Sequence, residues 1–258
     1  MKLEDIAVYI PAFNAAVTLP EVFARMPEKL KSFAGVVLVV DNASDDRTSE
    51  VTRMEARMQN IKNLVLIKNP KNLGYGGSQK IGYQYVIKEG FSWVIMIHGD
   101  AQYSPGHALM LLEKASEGKF DLLFGSRIQG NPLSGGMPVH RFIGNRVLTE
   151  LQNVLLRTRI SEFHSGYRVY KTSSLKRINV SSLSSDYHFD TEIMICMIDM
   201  KMKIGEVPIP TKYGSEKNYV NIWKYGIAVL VSTITYFLHS RGMRFSRKWA
   251  KILGHQSI

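Results

Sequence analysis

Cysteine is nearly absent. Cys196 is the single one in 258 residues, which excludes an internal disulfide and a cysteine-rich zinc site. It lies in the run Ile193-Met-Ile-Cys-Met-Ile198, which reads as a buried helix face. A secretory leader is also missing from the start: Met1-Lys-Leu-Glu-Asp5 has no basic segment followed by an apolar one. Both features fit a reducing, cytoplasmic setting. Tyr225–Ser240 is sixteen residues without Lys, Arg, Asp or Glu, short of the ~20 that a membrane-spanning helix needs. No Walker loop and no Gly-x-Gly-x-x-Gly turn occurs, so ATPase and dinucleotide dehydrogenase readings lack their motifs. Collagen, coiled-coil and solenoid periods are absent as well.

What is present is enough for a full core. With 45% hydrophobic and 21% charged residues, the chain is globular, and its length fits one large domain or a domain with a short appendage. The net charge of +11 is uneven. From Lys212 to Ile258 there are eight Lys/Arg against one acid, Glu216, while the preceding residues hold 25 basic and 21 acidic side chains. A basic excess points to nucleic acid or to an anionic membrane surface. Here it accompanies Trp223, Phe237, Phe245 and Trp249 in one tail, which favours the membrane and argues against nucleic acid.

Five short apolar runs punctuate the first 130 residues: Ile6–Ile10, Val36–Val40, Leu64–Ile67, Val94–Ile97 and Leu122–Phe124. Runs of this kind suit central parallel strands buried on both faces. Helix-start signals lie between them. Thr18-Leu-Pro-Glu21 reads as a capping box, and Ser104-Pro105 as an N-cap followed by proline. The alternation predicts a doubly wound α/β fold, a mostly parallel sheet flanked by helices. Ligands bind such sheets beyond the carboxyl ends of the strands.

The residues at those ends are polar, small or acidic. They are Pro11-Ala-Phe-Asn14, Asp41-Asn-Ala-Ser-Asp-Asp46, Asn69-Pro-Lys-Asn-Leu-Gly-Tyr-Gly-Gly77, His98-Gly-Asp-Ala-Gln102 and Gly125-Ser-Arg127. Asp41 can accept hydrogen bonds from a base or ribose, or cap the next helix. Asp100 can hold a hard cation through oxygen. Gly74, Gly76 and Gly77 lead into a helix, either as a plain turn or to bring backbone N–H groups to an anion.

In strand order these segments resemble the family 2 glycosyltransferases of the GT-A fold, over roughly residues 4–220. Gly125-Ser-Arg127, Ser165-Gly-Tyr-Arg-Val-Tyr170 and Ile204-Gly-Glu-Val-Pro-Ile209 are more particularly similar to the polyprenyl-phosphate glycosyltransferases, the dolichyl-phosphate mannose synthase group. The resemblance implies a UDP- or GDP-sugar donor bound by Pro11, Ala12, Phe13, Asn14, Asp41, Asn72, Gly74, Gly76, Lys80 and Asp100. It also implies Mg²⁺ or Mn²⁺ held by Asp100 and Gln102, with His98 standing where an acid is usual. An imidazole suits Mn²⁺ better than Mg²⁺; the other use of His98 is as a polar wall. Two further departures are Ala15 after Asn14 and Asn42 after Asp41, where relatives often carry acids.

The implied reaction is an inverting transfer to a polyprenyl phosphate. That acceptor is already anionic and needs cationic clamping rather than a base, for which Arg127, Arg141, Ser165 and Arg168 are the candidates. A sugar hydroxyl acceptor would instead require a carboxylate base. Glu162 comes first for that role, ahead of Asp190 and Glu192. A third reading is a non-catalytic nucleotide-sugar binder, to which His98 lends itself and against which Asp100, Gln102 and Arg127 speak. Residues 1–218 are expected to form the transferase domain and 219–258 an amphipathic basic helical tail. The tail would hold the protein peripherally on the cytoplasmic face of a membrane, or serve contact within a homo-oligomer.

Overall fold

A computed structural model describes residues 1–210, 213, 220–243 and 247–253. Seven strands, β1 (Ile6–Ala12), β2 (Val36–Asp41), β3 (Leu64–Lys68), β4 (Trp93–Met96), β5 (Leu122–Ser126), β6 (Arg168–Lys171) and β7 (Ile204–Pro208), form one sheet. Its order is β3-β2-β1-β4-β6-β5-β7. The helices are α1 (Leu19–Arg25), α2 (Glu28–Phe33), α3 (Thr48–Met58), α4 (Tyr75–Glu89), α5 (Ala108–Glu117) and α6 (Val139–Leu156). They continue with α7 (Thr172–Leu175), α8 (Phe189–Asp199), α9 (Ile222–Ser240) and α10 (Arg247–Leu253).

The five apolar runs are β1 to β5; β1, β2, β4 and β5 are buried on both faces as their composition demands, while β3 at the sheet edge is only partly buried. Ile6, Val8 and Ile10 of β1 join Val37 and Val39 of β2 on one face, against Val22, Phe23 and Leu112. Ala7 and Tyr9 join Val36 and Leu38 on the other, against Tyr83 and Phe189. Cys196 belongs to that second layer and is fully buried, and burial pushes its thiol far above its ordinary pKa. Strands β1 to β4 run parallel, in the doubly wound half of the fold. Register pairs Ala12 with Asp41 and Asp41 with Lys68, so the carboxyl ends of β1, β2 and β3 finish level on one rim.

The second half departs from simple winding. Strand β6 is antiparallel to both neighbours, wedged between β4 and β5, while β7 extends β5 in parallel. The capping box at Thr18 does not form. Its hydroxyl donates instead to the carbonyl of Gly99 at 2.5 Å, which ties the start of α1 to the end of β4. Ser104 and Pro105 do open a helical segment, through a 3-10 turn leading into α5, but without a side-chain cap.

The tail is partly a correction. Its boundary at 218/219, Lys212, Lys217, Arg244 and Phe245 lie outside the described residues. Helix α9 forms where apolar periodicity predicts it, yet α10 does not present an interfacial face. Trp249 is fully buried and Ile252 nearly so. The indole meets Tyr236 edge-on at 5.3 Å and donates to Thr235 Oγ1 at 3.0 Å. The aromatic residue that would have sat in lipid is core.

Candidate active site

A cleft of about 1740 Å³ opens along the rim where the strands end. Of the site residues expected from sequence, Pro11, Ala12, Phe13, Asn14, Asn72, Gly74, His98, Asp100, Gln102, Arg127 and Arg141 line it. Asp41, Gly76, Lys80, Glu162, Ser165 and Arg168 do not.

The rim is built by stapling one strand-end loop to the next. Asn14 takes a left-handed conformation, φ 50°, and its N–H donates to Ser44 Oγ at 2.9 Å while its Oδ1 accepts from Asp45 N at 3.0 Å. Ala15 and Ala16 donate to Thr48 Oγ1 and Asp46 Oδ2. Asp41 is fully buried, accepting from Ser44 N at 2.9 Å and from the Ser49 hydroxyl. It shapes its loop, and Asn42, Asp45 and Asp46 face the cleft in its place. Asn42 is the clasp of the next loop. It donates to Asn72 Oδ1 (3.0 Å) and Gly74 O (3.3 Å) and accepts from Asn69 Nδ2 and Leu73 N (both 3.0 Å).

The glycines of that loop serve close packing more than an anion. A Cβ on Gly74, whose φ is +77°, would lie 2.4 Å from Ser185 O, and one on Gly76 would lie 2.5 Å from Ser184 O. The Gly77 N–H donates to Ser185 O at 3.2 Å, and Lys80 Nζ reaches Ser185 Oγ at 3.1 Å.

At the end of β4, Asp100 Oδ1 accepts from Gln102 N at 3.1 Å across a turn in which Ala101 is left-handed. Among the described residues no group of three or more His, Cys, Asp or Glu could hold a metal by itself. An Mg²⁺-type ion requires only one or two carboxylates beside substrate phosphate oxygens and water. Asp100 and the Gln102 amide fit that role. His98 does not: its ring stacks on Tyr75 at 6.2 Å and lies tilted against Tyr103 at 5.2 Å. Its Nε2 is aimed at Gly166, where a Cβ would come within 2.0 Å. This placement supports the wall reading.

Arginine 127 brings charge to the far side of the cleft. Its backbone N–H and Nε donate to Glu162 Oε2 and Oε1 at 2.8 and 2.7 Å, and Nη2 also reaches Glu162. The carbonyl of His164 and the Tyr213 hydroxyl take further bonds at 3.0 and 3.2 Å. Burial opposes the guanidinium charge, but Glu162 outweighs it and holds the pKa above its ordinary value. Glu162 is fully buried and ion-paired, the place of a counter-charge that aims Arg127. Arg141 of α6 adds a second cation to the same wall, beside the His140 imidazole.

Arg168 is a second correction. It is fully buried, donating to Ser165 O, Phe163 O, Asp190 O and Tyr170 OH between 2.8 and 3.2 Å. Every nitrogen is used in holding the chain, and no phosphate reaches it. Ser165 is buried beside it.

Asp190 does line the cleft. Its Oδ2 accepts from the Tyr75 hydroxyl at 2.8 Å, while Oδ1 stands 3.7 Å from Arg168 and makes no hydrogen bond. Glu192 is turned away, accepting from Ser184 N at 2.7 Å, Ser232 Oγ at 3.0 Å and Lys248 Nζ. Sequence reasoning missed Tyr75, Tyr103, His140, Asn145, His164, Tyr213 and Tyr225, all on the cleft wall. His164 directly precedes the Ser-Gly-Tyr-Arg stretch and could have been found there. It pairs through Nδ1 with Tyr225 OH at 2.7 Å. Burial, with Arg127 and Arg168 nearby, lowers its pKa to about 3.

The strand ends carry amides and the acids Asp45, Asp46 and Asp100, faced by an ion-paired arginine across a wide cleft, an arrangement suited to a sugar-nucleotide transferase. The family model Glycosyl transferase family 2 matches residues 7–178, and the chain belongs to that family. Among curated relatives, it is 25% identical over 203 residues to polyprenol monophosphomannose synthase of Mycolicibacterium smegmatis, covering 78% of this chain and 75% of that protein. It is 24% identical over 212 residues to low-salt glycan biosynthesis hexosyltransferase Agl6 of Haloferax volcanii, covering 81% of this chain but only 49% of Agl6. The fold matches glucosyl-3-phosphoglycerate synthase of Mycobacterium tuberculosis, solved with Mn²⁺, UDP and phosphoglyceric acid, with a TM-score of 0.68 at 14% identity over 90% of this chain and 78% of that one.

Proposed function

We propose that this enzyme moves a sugar from a UDP- or GDP-sugar to a polyprenyl phosphate, working peripherally at the cytoplasmic face of a membrane. The observation that carries the reading is the polarity of the cleft. Amides and Asp100 occupy the strand-end rim, and Arg127, His140 and Arg141 occupy the opposite wall. The similarity to polyprenol monophosphomannose synthase supports the acceptor, and the no-base chemistry agrees with a buried, ion-paired Glu162.

Asn14, Asn72 and Gly74 bind the donor at the rim, and Asp100 and Gln102 are the residues that would hold Mg²⁺ or Mn²⁺. Such an ion would supply neutralisation of charge on the departing diphosphate. Arg127 and Arg141 orient the acceptor phosphate, whose oxygen displaces the diphosphate at the anomeric carbon with inversion. The anomeric C–O bond to the donor breaks as the bond to the acceptor forms, and no proton needs to be removed. Tyr75, His98 and Tyr103 wall the site against water.

The test is incubation of the full chain with UDP- and GDP-hexoses, polyprenyl phosphate and either metal, followed by analysis of the lipid fraction. Sugar in the lipid fraction, abolished by Asp100→Asn, is the expected result; near wild-type transfer by that variant would overturn the assignment. One observation favours a second reading. Asp190 lines the cleft, its Oδ1 ion-paired with Arg168 at 3.7 Å but without a hydrogen bond, where it could serve as base for a sugar hydroxyl. Asp190→Asn would then cost roughly 10²–10⁴-fold in rate on a hydroxyl acceptor.

A further inference from the structure

The glycine loop at the donor rim rests on a second segment rather than on the sheet alone. Gly74 lies against Ser185 O and Gly76 against Ser184 O too closely for any side chain to fit between. The Gly77 N–H donates to Ser185 O, and Tyr187 stacks on Tyr75 at 5.2 Å. Ser184 to His188, every residue of which lines the cleft, is therefore the bed of the donor loop. A carboxylate behind it fixes that bed. Glu192 of α8 is fully buried and accepts from Ser184 N at 2.7 Å and from Ser232 Oγ of α9 at 3.0 Å. His188 Nε2 stands 3.4 Å from Glu192 Oε1. Burial first, and then the Lys248 ammonium, hold this imidazole below its ordinary pKa against the pull of Glu192, so it is neutral at neutral pH. Lys248 of α10 is the one permanent cation within ion-pair distance of Glu192 among the described residues.

We infer that Lys248 is a positioning residue for the sugar-nucleotide donor: by matching the charge of Glu192 it keeps Ser184–His188 in place, so that α10 completes the donor site from behind. The inference rests on the donor reading above. A carboxylate without exposure stays charged and hydrogen-bonded only beside a partner charge, and removing that partner leaves an uncompensated charge inside. Glu192 would then have to turn toward water or take up a proton, and its hold on Ser184 N would loosen. The rest of α10 is built to deliver the ammonium. Trp249 and Ile252 are core residues, the indole is tied to Thr235 Oγ1 at 3.0 Å, and the helix packs on the 3-10 turn Val180–Ser182 that leads into the bed. No described residue of α10 lines the cleft, so its influence on the donor passes through Glu192. Coupling of this kind is reciprocal: a helix that steadies the donor loop is itself steadied when the donor binds.

The test uses the full chain with Lys248→Met, with Lys248→Arg, and with Lys248→Met combined with Glu192→Gln. Each is measured for UDP- and GDP-hexose affinity by calorimetry, for the KM of polyprenyl phosphate, and for amide hydrogen exchange at Gly77 and Ser184. Lys248→Met should lose roughly 5–150-fold in donor affinity with the acceptor KM unchanged. It should also quicken exchange at Gly77 and Ser184 while the amides of β1 and β2 stay protected. Lys248→Arg keeps the charge and should bind donor as the wild type does. Adding Glu192→Gln to Lys248→Met removes the unpaired carboxylate and should restore most of the affinity, which a packing role for the lysine stem would not allow. In the wild type, saturating donor should slow exchange in α10. Unchanged affinity and exchange in Lys248→Met would overturn the inference, and so would a double variant that binds no more tightly than Lys248→Met. If Lys248→Met fails to fold, the wild type decides, and an α10 that gains no protection from bound donor overturns it. A wild type that binds neither donor, with exchange at Gly77 and Ser184 still governed by Lys248, would sink the donor reading and leave the role of Lys248 in holding the bed intact.

Discussion

Replacing Glu162 by Gln separates the two uses of this carboxylate most sharply. Its two oxygens take three N–H groups of Arg127 and the Asn145 amide, the last at 3.1 Å. Glutamine keeps the shape but removes the charge and turns one oxygen into a donor facing donors. Breaking a buried pair from one side costs about 3–5 kcal/mol. With a urea m-value of about 3 kcal/mol/M, the unfolding midpoint falls by about 1–1.7 M. The fluorescence of Trp93, Trp223 and Trp249 reports that transition at fixed pH. Turnover should fall as well, because Arg127 loses its aim, and the loss should be the same at every pH tested. The double change Arg127→Met with Glu162→Met removes both charges and should recover most of the stability, since replacing both partners of a buried pair is close to neutral. It should remain inactive. A Glu162→Gln variant with a wild-type midpoint, whose rate loss is confined to hydroxyl acceptors and erases an acidic limb in the pH profile, would refute this reasoning and make Glu162 a base.

Other expectations follow from the loops and the buried imidazole. Asn42→Asp removes the two donated bonds to Asn72 and Gly74 and sets a carboxylate against their oxygens; at about 1–3 kcal/mol for unsatisfied groups, donor affinity by calorimetry should fall roughly 5–150-fold, and unchanged affinity would deny the clasp. His164 titrates near 3 when folded and near 6.5 when unfolded, so the unfolded chain binds the extra proton between those values. Stability is therefore full above about pH 6.5 and falls by about 1.4 kcal/mol per unit below it. Urea midpoints across that range should show a shallower slope in His164→Phe, and equal slopes would show that His164 is not the group responsible.

The first five strands were legible because each is an apolar run, four of them buried on both sides and β3 partly buried at the edge, and the polar residues after them fell on the rim as the winding requires. Strand β6 was not. It is four residues long and begins with Arg168, whose charge is tolerated inside only because Asp190 and three carbonyls surround it. Strand β7 reads Ile-Gly-Glu-Val-Pro, an edge composition without an apolar run. The carboxylates were mis-ranked for a similar reason. Arg127 and Glu162 are 35 positions apart, and Tyr75 and Asp190 are 115 apart, so neither pairing leaves a local signal. In the tail, an aromatic and basic pattern suited to lipid serves α10 equally well for packing on its own domain.

The placement of β6 also sets an order on how the chain can be made. Strand β4 pairs on one side with β1, which precedes it, and on the other with β6, whose last residue lies 75 positions after Met96. At ordinary translation speeds the open side of β4 waits roughly 4–15 s for its neighbour to be synthesised. During that interval the nascent sheet β3-β2-β1-β4 ends in unpaired backbone on an apolar strand, the kind of edge that pairs with other chains. A ribosome stalled between β4 and β6 would therefore hold a wound but unsealed half-domain. Chaperone capture during expression should concentrate on chains of that length rather than on shorter or finished ones.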